Sequence, residues 1–127
     1  MINTKKILIN ENNTIKEAMK IIDSAGIRTA TVVDNSNKLL GIITDGDIRR
    51  GILKGFDLNE KVSKVMNKKP IFAISNYSKE KIMELIKVKK IIGLPIVNKN
   101  KIVKDYVFLS KGTNLINFNK QPILKKH

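Results

Sequence analysis

An internal repeat narrows the fold of this chain more than any other feature. "NNTIKEAMKIIDSAGIRTATVVDNSNKLLGII" is followed, about half the chain later, by "NYSKEKIMELIKVKKIIGLPIVNKNKIVKDYV". Thr14 matches Ser78, Met19 matches Met83, Ile22 matches Ile86, and Val32-Val33-Asp34 matches Ile96-Val97-Asn98. The turn of the second copy reads as one residue shorter. A repeat of ~50–60 residues buries too little of its sheet to stand alone, so the two copies are expected to fold against each other.

Both copies share one grammar. In the first, Thr14 precedes Ile15, Ala18, Met19 and Ile22, the spacing of an apolar helix face. Thr14-Ile15-Lys16-Glu17 is a capping box, and Gly26 suits the helix end. Thr29 to Val33 is β-branched and strand-like, Asp34 to Asn37 is a turn cluster, and Leu39 to Thr44 is a second strand. Asp47 is then expected to cap a short helix starting at Ile48 and ending near Gly55. The second copy repeats this with Ser78 as cap, a strand at Pro95 to Val97 and another at Ile102 to Leu109. "FDLNEKVSKVMNKKP" joins them, with a helical turn at Val62, Val65 and Met66 before an extended segment from Ile71 to Ile74. The expected class is α+β, from two β-α-β-β-α-like units. The expected divisions are 1–57, 58–111, and a tail, 112–127, that is either disordered or the remnant of a following domain.

Composition removes several functions. At 42% hydrophobic, 127 residues can form a real core, and no apolar run approaches the ~20 residues of a membrane span. Met1 to Lys6 leads into only a short apolar run, so no signal peptide is expected, and cytoplasm is the expected location. There is no cysteine, and the only histidine is His127. Thiolate chemistry, a histidine-based triad and a zinc site with several histidines are therefore excluded. The net charge of +14 invites a nucleic-acid reading. The charge is mostly lysine spread along the chain, with only Arg28, Arg49 and Arg50 as arginines and 5% aromatics. Base-edge readout favours arginine and strand binding favours exposed aromatics, so nucleic acid is not the expected partner.

The acidic residues of "GIITDGDIRRGIL", Gly41 to Leu53, sit where a strand breaks into a helix. Asp45 and Asp47 could be a metal site, a catalytic pair, a helix cap or a grip on hydroxyls. No further carboxylate is placed to complete a magnesium site, and nothing nearby serves as nucleophile or proton relay. Neither a metal nor a catalytic residue is therefore expected.

Over residues 5–110 the chain resembles a tandem pair of cystathionine-β-synthase-type (CBS) domains, a Bateman module. The resemblance rests on the two halves, "VMNKKP", "LPIVN" and above all "GIITDGDIRRGIL". Gly41, Ile42, Ile43, Thr44, Asp47 and Ile48 fill the family's ligand signature. The resemblance implies a pseudo-twofold arrangement with sheets face to face and helices outside, a homodimer, no catalysis, and regulatory binding of AMP, ADP or ATP. It implies that Asp47 holds the ribose and Thr44 assists. Ile42 would line the base pocket, Arg28 would meet phosphate, and Ile71, Leu94 and Pro95 would line the base crevice from the second repeat. "LLGIITDGDIRRGILKGFDLNEKVSKVMNKKP" is most similar to pairs attached to sugar-phosphate nucleotidyltransferases, which makes a sugar-nucleotide enzyme domain or chain an expected partner. In the second repeat Lys104, Val107 and Ser110 read as the counterparts of Gly41, Thr44 and Asp47, so one nucleotide site per chain is expected. Three other readings stay open: an assembly module without ligand, a regulatory fragment of a sugar-nucleotide enzyme, and a nucleic-acid binder.

Overall fold

The computed structural model describes residues 7–110 and 114–117. The chain divides into two compact units between Pro70 and Ile71, further along than the boundary expected after 57. The reason is in the backbone. The stretch after the first repeat folds back on it: the amides of Ile15 and Lys16 donate to the carbonyls of Glu60 (2.8 Å) and Leu58 (3.0 Å). These are orphan N–H groups of a helix start, which need partners from outside the helix.

The first unit contains β1 (Leu8–Asn10), α1 (Ile15–Ala25), β2 (Thr29–Val33), β3 (Leu39–Thr44) and α2 (Asp45–Leu53), then a 3-10 turn at Val62–Lys64. Its sheet order is β1-β2-β3, with β1 parallel and β3 antiparallel to β2. The capping box at α1 forms as expected: Glu17 N–H donates to Thr14 Oγ1 (3.1 Å) and Thr14 N–H to Glu17 Oε1 (2.8 Å). The Thr14 amide holds the Glu17 carboxyl below its ordinary range. Gly26 closes α1 at φ +73°, where a side chain would be strained. Ile15, Ala18 and Ile22 of α1 meet Ala30, Val32 and Ile43 in the core, so the helices cover one face of the sheet.

The second unit contains β4 (Ala73–Ile74), α3 (Lys79–Lys89), β5 (Gly93–Val97), β6 (Val103–Ser110) and β7 (Asn114–Asn117), in sheet order β4-β5-β6-β7. Ser78 caps α3, accepting from Lys81 N–H at 3.1 Å. The unit departs from the first at its end: α2 follows β3, whereas β7 follows β6 as an antiparallel strand. Four residues of the expected tail thus extend a sheet.

The expected shorter turn is corrected. In one hairpin the Asp34 carboxylate accepts from Ser36 and Lys38 N–H. In the other, Asn98 Oδ1 accepts from Asn100 and Ile102 N–H. Asn37 and Lys101 hold the same left-handed position, and both hairpins bulge at matching places, Val32/Val33 and Ile96/Val97. The turns are equal in length. Thr29 pairs with Thr44 and Gly93 with Phe108, so Phe108, not Val107, stands where Thr44 does, and Asp105, not Lys104, where Gly41 does. Alternation gives the reason: Val107 is buried in the second core, as Ile43 is in the first. The counterpart of Asp47 becomes Lys111, which lies outside the described residues, instead of Ser110.

Candidate functional site

The corner between β3 and α2 corrects one expectation. The helix starts at Asp45, not Ile48, and Thr44 is its cap, with Asp47 as the third helical residue. Thr44-Asp45-Gly46-Asp47 is a second capping box: Asp47 N–H donates to Thr44 Oγ1 (3.1 Å) and Thr44 N–H to Asp47 Oδ2 (3.0 Å). Extended backbone at Thr44 (φ −115°, ψ 168°) lets the strand pass directly into the helix. Gly46 sits within the first turn, and only the movable guanidinium of Arg50 lies near its missing side chain. Asp45 is exposed at the helix start, where a negative charge is favourable.

The box leaves two chemical functions free. Thr44 Oγ1 accepts within the box, so its O–H remains available to donate. Asp47 Oδ1 takes no part in the box and accepts instead from Arg50 Nη2 at 2.9 Å. Arg50 is 65% exposed and Asp47 only 16%, so the partner that leaves at least cost is the arginine. The i, i+3 spacing of Asp47 and Arg50 is the signal of this pair in the sequence. A donor and an acceptor thus stand side by side at one corner, suited to a ligand with vicinal hydroxyls.

The remaining candidates separate. Ile42 is half-buried two residues before Thr44, on the same sheet face, and its N–H donates to Asn67 O (3.1 Å). That bond explains Gly41: a Cβ there would meet Asn67 O at 2.7 Å and Met66 Sδ at 2.9 Å. The glycine admits the "VMN" segment onto the edge of β3. Arg28 adopts φ +62° and its carbonyl accepts from Asp45 N–H at 3.4 Å. Arg28 also lines a groove of about 580 Å³ between α1 and α2, with Asp23, Asp45 and Arg49 among apolar Met19 and Ile52. Thr44 and Asp47 do not line that groove. Leu94 lies in the core of the second unit, Ile71 packs against that core, and Pro95 is fully buried in β5. No group of three or more acidic, histidine or cysteine side chains suited to a metal occurs among the described residues. No helix among them is long and apolar enough to cross a membrane.

Residues 1–54 match the CBS domain family. Homoserine O-acetyltransferase of Methanococcus vannielii is 38% identical over 109 residues, which are 85% of this chain and 22% of that protein. Inosine-5'-monophosphate dehydrogenase of Methanocaldococcus jannaschii is 33% identical over 92 residues, 72% of this chain and 18% of that protein. The chain therefore spans about a fifth of the length of these relatives. Neither is a nucleotidyltransferase, so the expected association with such enzymes gains no support from them. Among solved structures, the CBS domain pair of protein MJ0100 in complex with 5-methylthioadenosine and S-adenosyl-L-methionine has a TM-score of 0.70 at 26% identity. It covers 80% of each chain. The CBS domain protein PAE2072 from Pyrobaculum aerophilum, complexed with AMP, has a TM-score of 0.71 at 16% identity, covering 85% of this chain and 87% of that one.

Proposed function

We propose that this chain, whose first 54 residues match the CBS domain and whose fold is that of CBS-domain pairs, is a non-catalytic regulatory module that binds one adenine nucleotide. The carrying observation is the corner of Thr44 and Asp47, where the capping box spends one carboxylate oxygen and leaves the other, with a hydroxyl donor beside it. Asp47 Oδ1 would accept from a ribose hydroxyl, releasing Arg50, and Thr44 O–H would donate to the ribose or a phosphate oxygen. Ile42 would take the base and Arg28 would meet phosphate. Adenosine is common to the ligands of the two CBS structures compared, which supports the reading. Binding would act through differential affinity for two states of an attached or partner domain in the cytoplasm.

The groove between α1 and α2 of the first unit supports the expected homodimer. Met19 (41% exposed), Ile52 (44%) and Leu53 (80%) crowd the groove between α1 and α2. Its charges balance, Asp23 and Asp45 against Arg28 and Arg49, and no lysine lines it, in a chain of +14. Two copies related by a twofold axis could exchange those pairs.

A second reading has its own support: every bond that Asp47 makes is internal, which suits an assembly module in which Asp47 is only a cap. Calorimetric titration with AMP, ADP, ATP and GTP at physiological salt separates the two. The expected result is one site per chain, selective for adenine, and weakened roughly tenfold to a hundredfold in Asp47→Ala, as for hydrogen bonds to a charged group. Equal weak heats in both proteins, fading with salt, would sink it.

A further inference from the structure

One side-chain polar atom among the described residues is buried without a partner. Thr31 Oγ1, at the middle of β2, is inaccessible and makes no hydrogen bond. Buried hydroxyls nearly always find partners, and an unpaired one costs stability. Its neighbours on the strand are the contrast: Ala30 and Val32 turn into the core beneath the helices. By alternation Thr31 turns to the other face of the sheet, as do its partners across the ladders, Leu8 on β1 and Ile42 on β3. Both partners are half-buried and lie nearer the surface than Thr31, which is itself fully covered.

The same face carries the nucleotide corner. Thr29 lies two residues from Thr31 on β2 and pairs with Thr44; Ile42 lies two residues from Thr44 on β3 and pairs with Thr31. Two residues of strand span about 7 Å. Thr29 already donates its hydroxyl to Ile43 O at 3.2 Å, and Thr44 Oγ1 accepts within the capping box with its O–H still free to donate, whereas Thr31 Oγ1 makes no bond at all. The second unit does without this hydroxyl: its hairpin places the fully buried Pro95 where the first has Thr31.

We infer that Thr31 Oγ1 is a specificity-determining contact for the purine base, completed only when the nucleotide is bound. The inference rests on the proposed binding at Thr44 and Asp47. A sugar held at that corner, with its base laid over Ile42, carries the polar edge of the purine toward Thr31. The hydroxyl can donate to a ring nitrogen or accept from an amino group. A pyrimidine, one ring shorter, would stop before it.

The test compares wild type, Thr31→Val and Thr31→Ser by titration with AMP and with CMP, and by thermal unfolding without nucleotide. Valine keeps the shape and removes the orphan, so the unliganded variant is expected to be as stable as wild type or more so. Its affinity for AMP is expected to fall about tenfold, the worth of one hydrogen bond. CMP binding should not change, and the serine variant should keep the wild-type preference for AMP. Unchanged AMP affinity in Thr31→Val overturns the inference, as does an equal loss for AMP and CMP. A valine variant that loses stability and keeps AMP affinity overturns it too, since the hydroxyl would then be serving the fold. If valine is not tolerated, Thr31→Ala carries the same comparison. Wild-type protein that binds no AMP overturns the site reading itself, whereas AMP binding lost in Asp47→Ala but equal in Thr31→Val overturns only the role of Thr31.

Discussion

Asp47 shows how one carboxylate can cap a helix and still keep an oxygen for the proposed ligand. Its Oδ2 ties the amide of Thr44, and its Oδ1 takes an arginine that is largely in solvent. The first bond belongs to a cap worth ~1 kcal/mol. The second is an exposed i, i+3 ion pair, worth less than about 0.5 kcal/mol. Arg50→Ala is therefore expected to leave the unfolding midpoint almost unchanged. It should also leave AMP affinity undiminished, because it exposes the oxygen that the proposed ribose contact would use. A marked fall in affinity on titration would instead make Arg50 a phosphate ligand. Arg50 also shows what sequence could have given: the spacing was visible, but a basic residue on a helix in a lysine-rich chain looks like solvent-facing charge.

At the scale of elements, the two hairpins share turn, bulge and register yet have diverged at equivalent strand positions. The first has Gly41 where the "VMN" segment lies against β3; the second has Asp105. Asp105 is half-buried, and burial raises its pKa above the ordinary carboxylate value, opposed by the hydrogen bond from Tyr106 N–H. A carboxyl whose pKa is raised by folding costs nothing below the ordinary carboxylate range and weighs against the fold as pH climbs past the raised value. Asp105→Asn keeps the acceptor for Tyr106 N–H and removes the charge. It is expected to stabilise the protein at pH 7 by under about 1 kcal/mol, given the remaining solvent screening. In thermal melts the gain should vanish at acid pH; a gain that persists there would mean the cause is not the charge.

For the whole molecule, the open question is what the groove between α1 and α2 meets. Leu53, 80% exposed, is the most exposed large apolar residue described, and it lies at the rim of a charge-balanced apolar patch. Large exposed apolar patches of this kind mark contact surfaces. Sedimentation of the wild type is expected to show a dimer whose dissociation constant rises at least about tenfold in Leu53→Lys, the loss expected for an interface anchor. Identical sedimentation of both proteins as monomers would leave the groove to a partner of another kind. The chain spans about a fifth of the length of the relatives it matches.

Sequence by itself determined whatever is closed within a few residues: the caps of the paired helices at Thr14 and Ser78, and the turn clusters at Asp34 and Asn98. Such features are local hydrogen-bond patterns, and their partners stand three or four positions apart. The tertiary structure alone decided the rest. Reading the second repeat by eye put Val107 opposite Thr44, because a strand's register is set by its partner across the ladder and one residue of slip looks equally apolar. Gly41 looked like part of a ligand motif, and only the approach of Met66 and Asn67 shows that its missing side chain admits backbone. The linker joined the first unit because Glu60 and Leu58 satisfy helix amides more than forty residues earlier. Thr31 read as one more β-branched strand residue. Only the burial of its oxygen without a hydrogen-bond partner sets it apart.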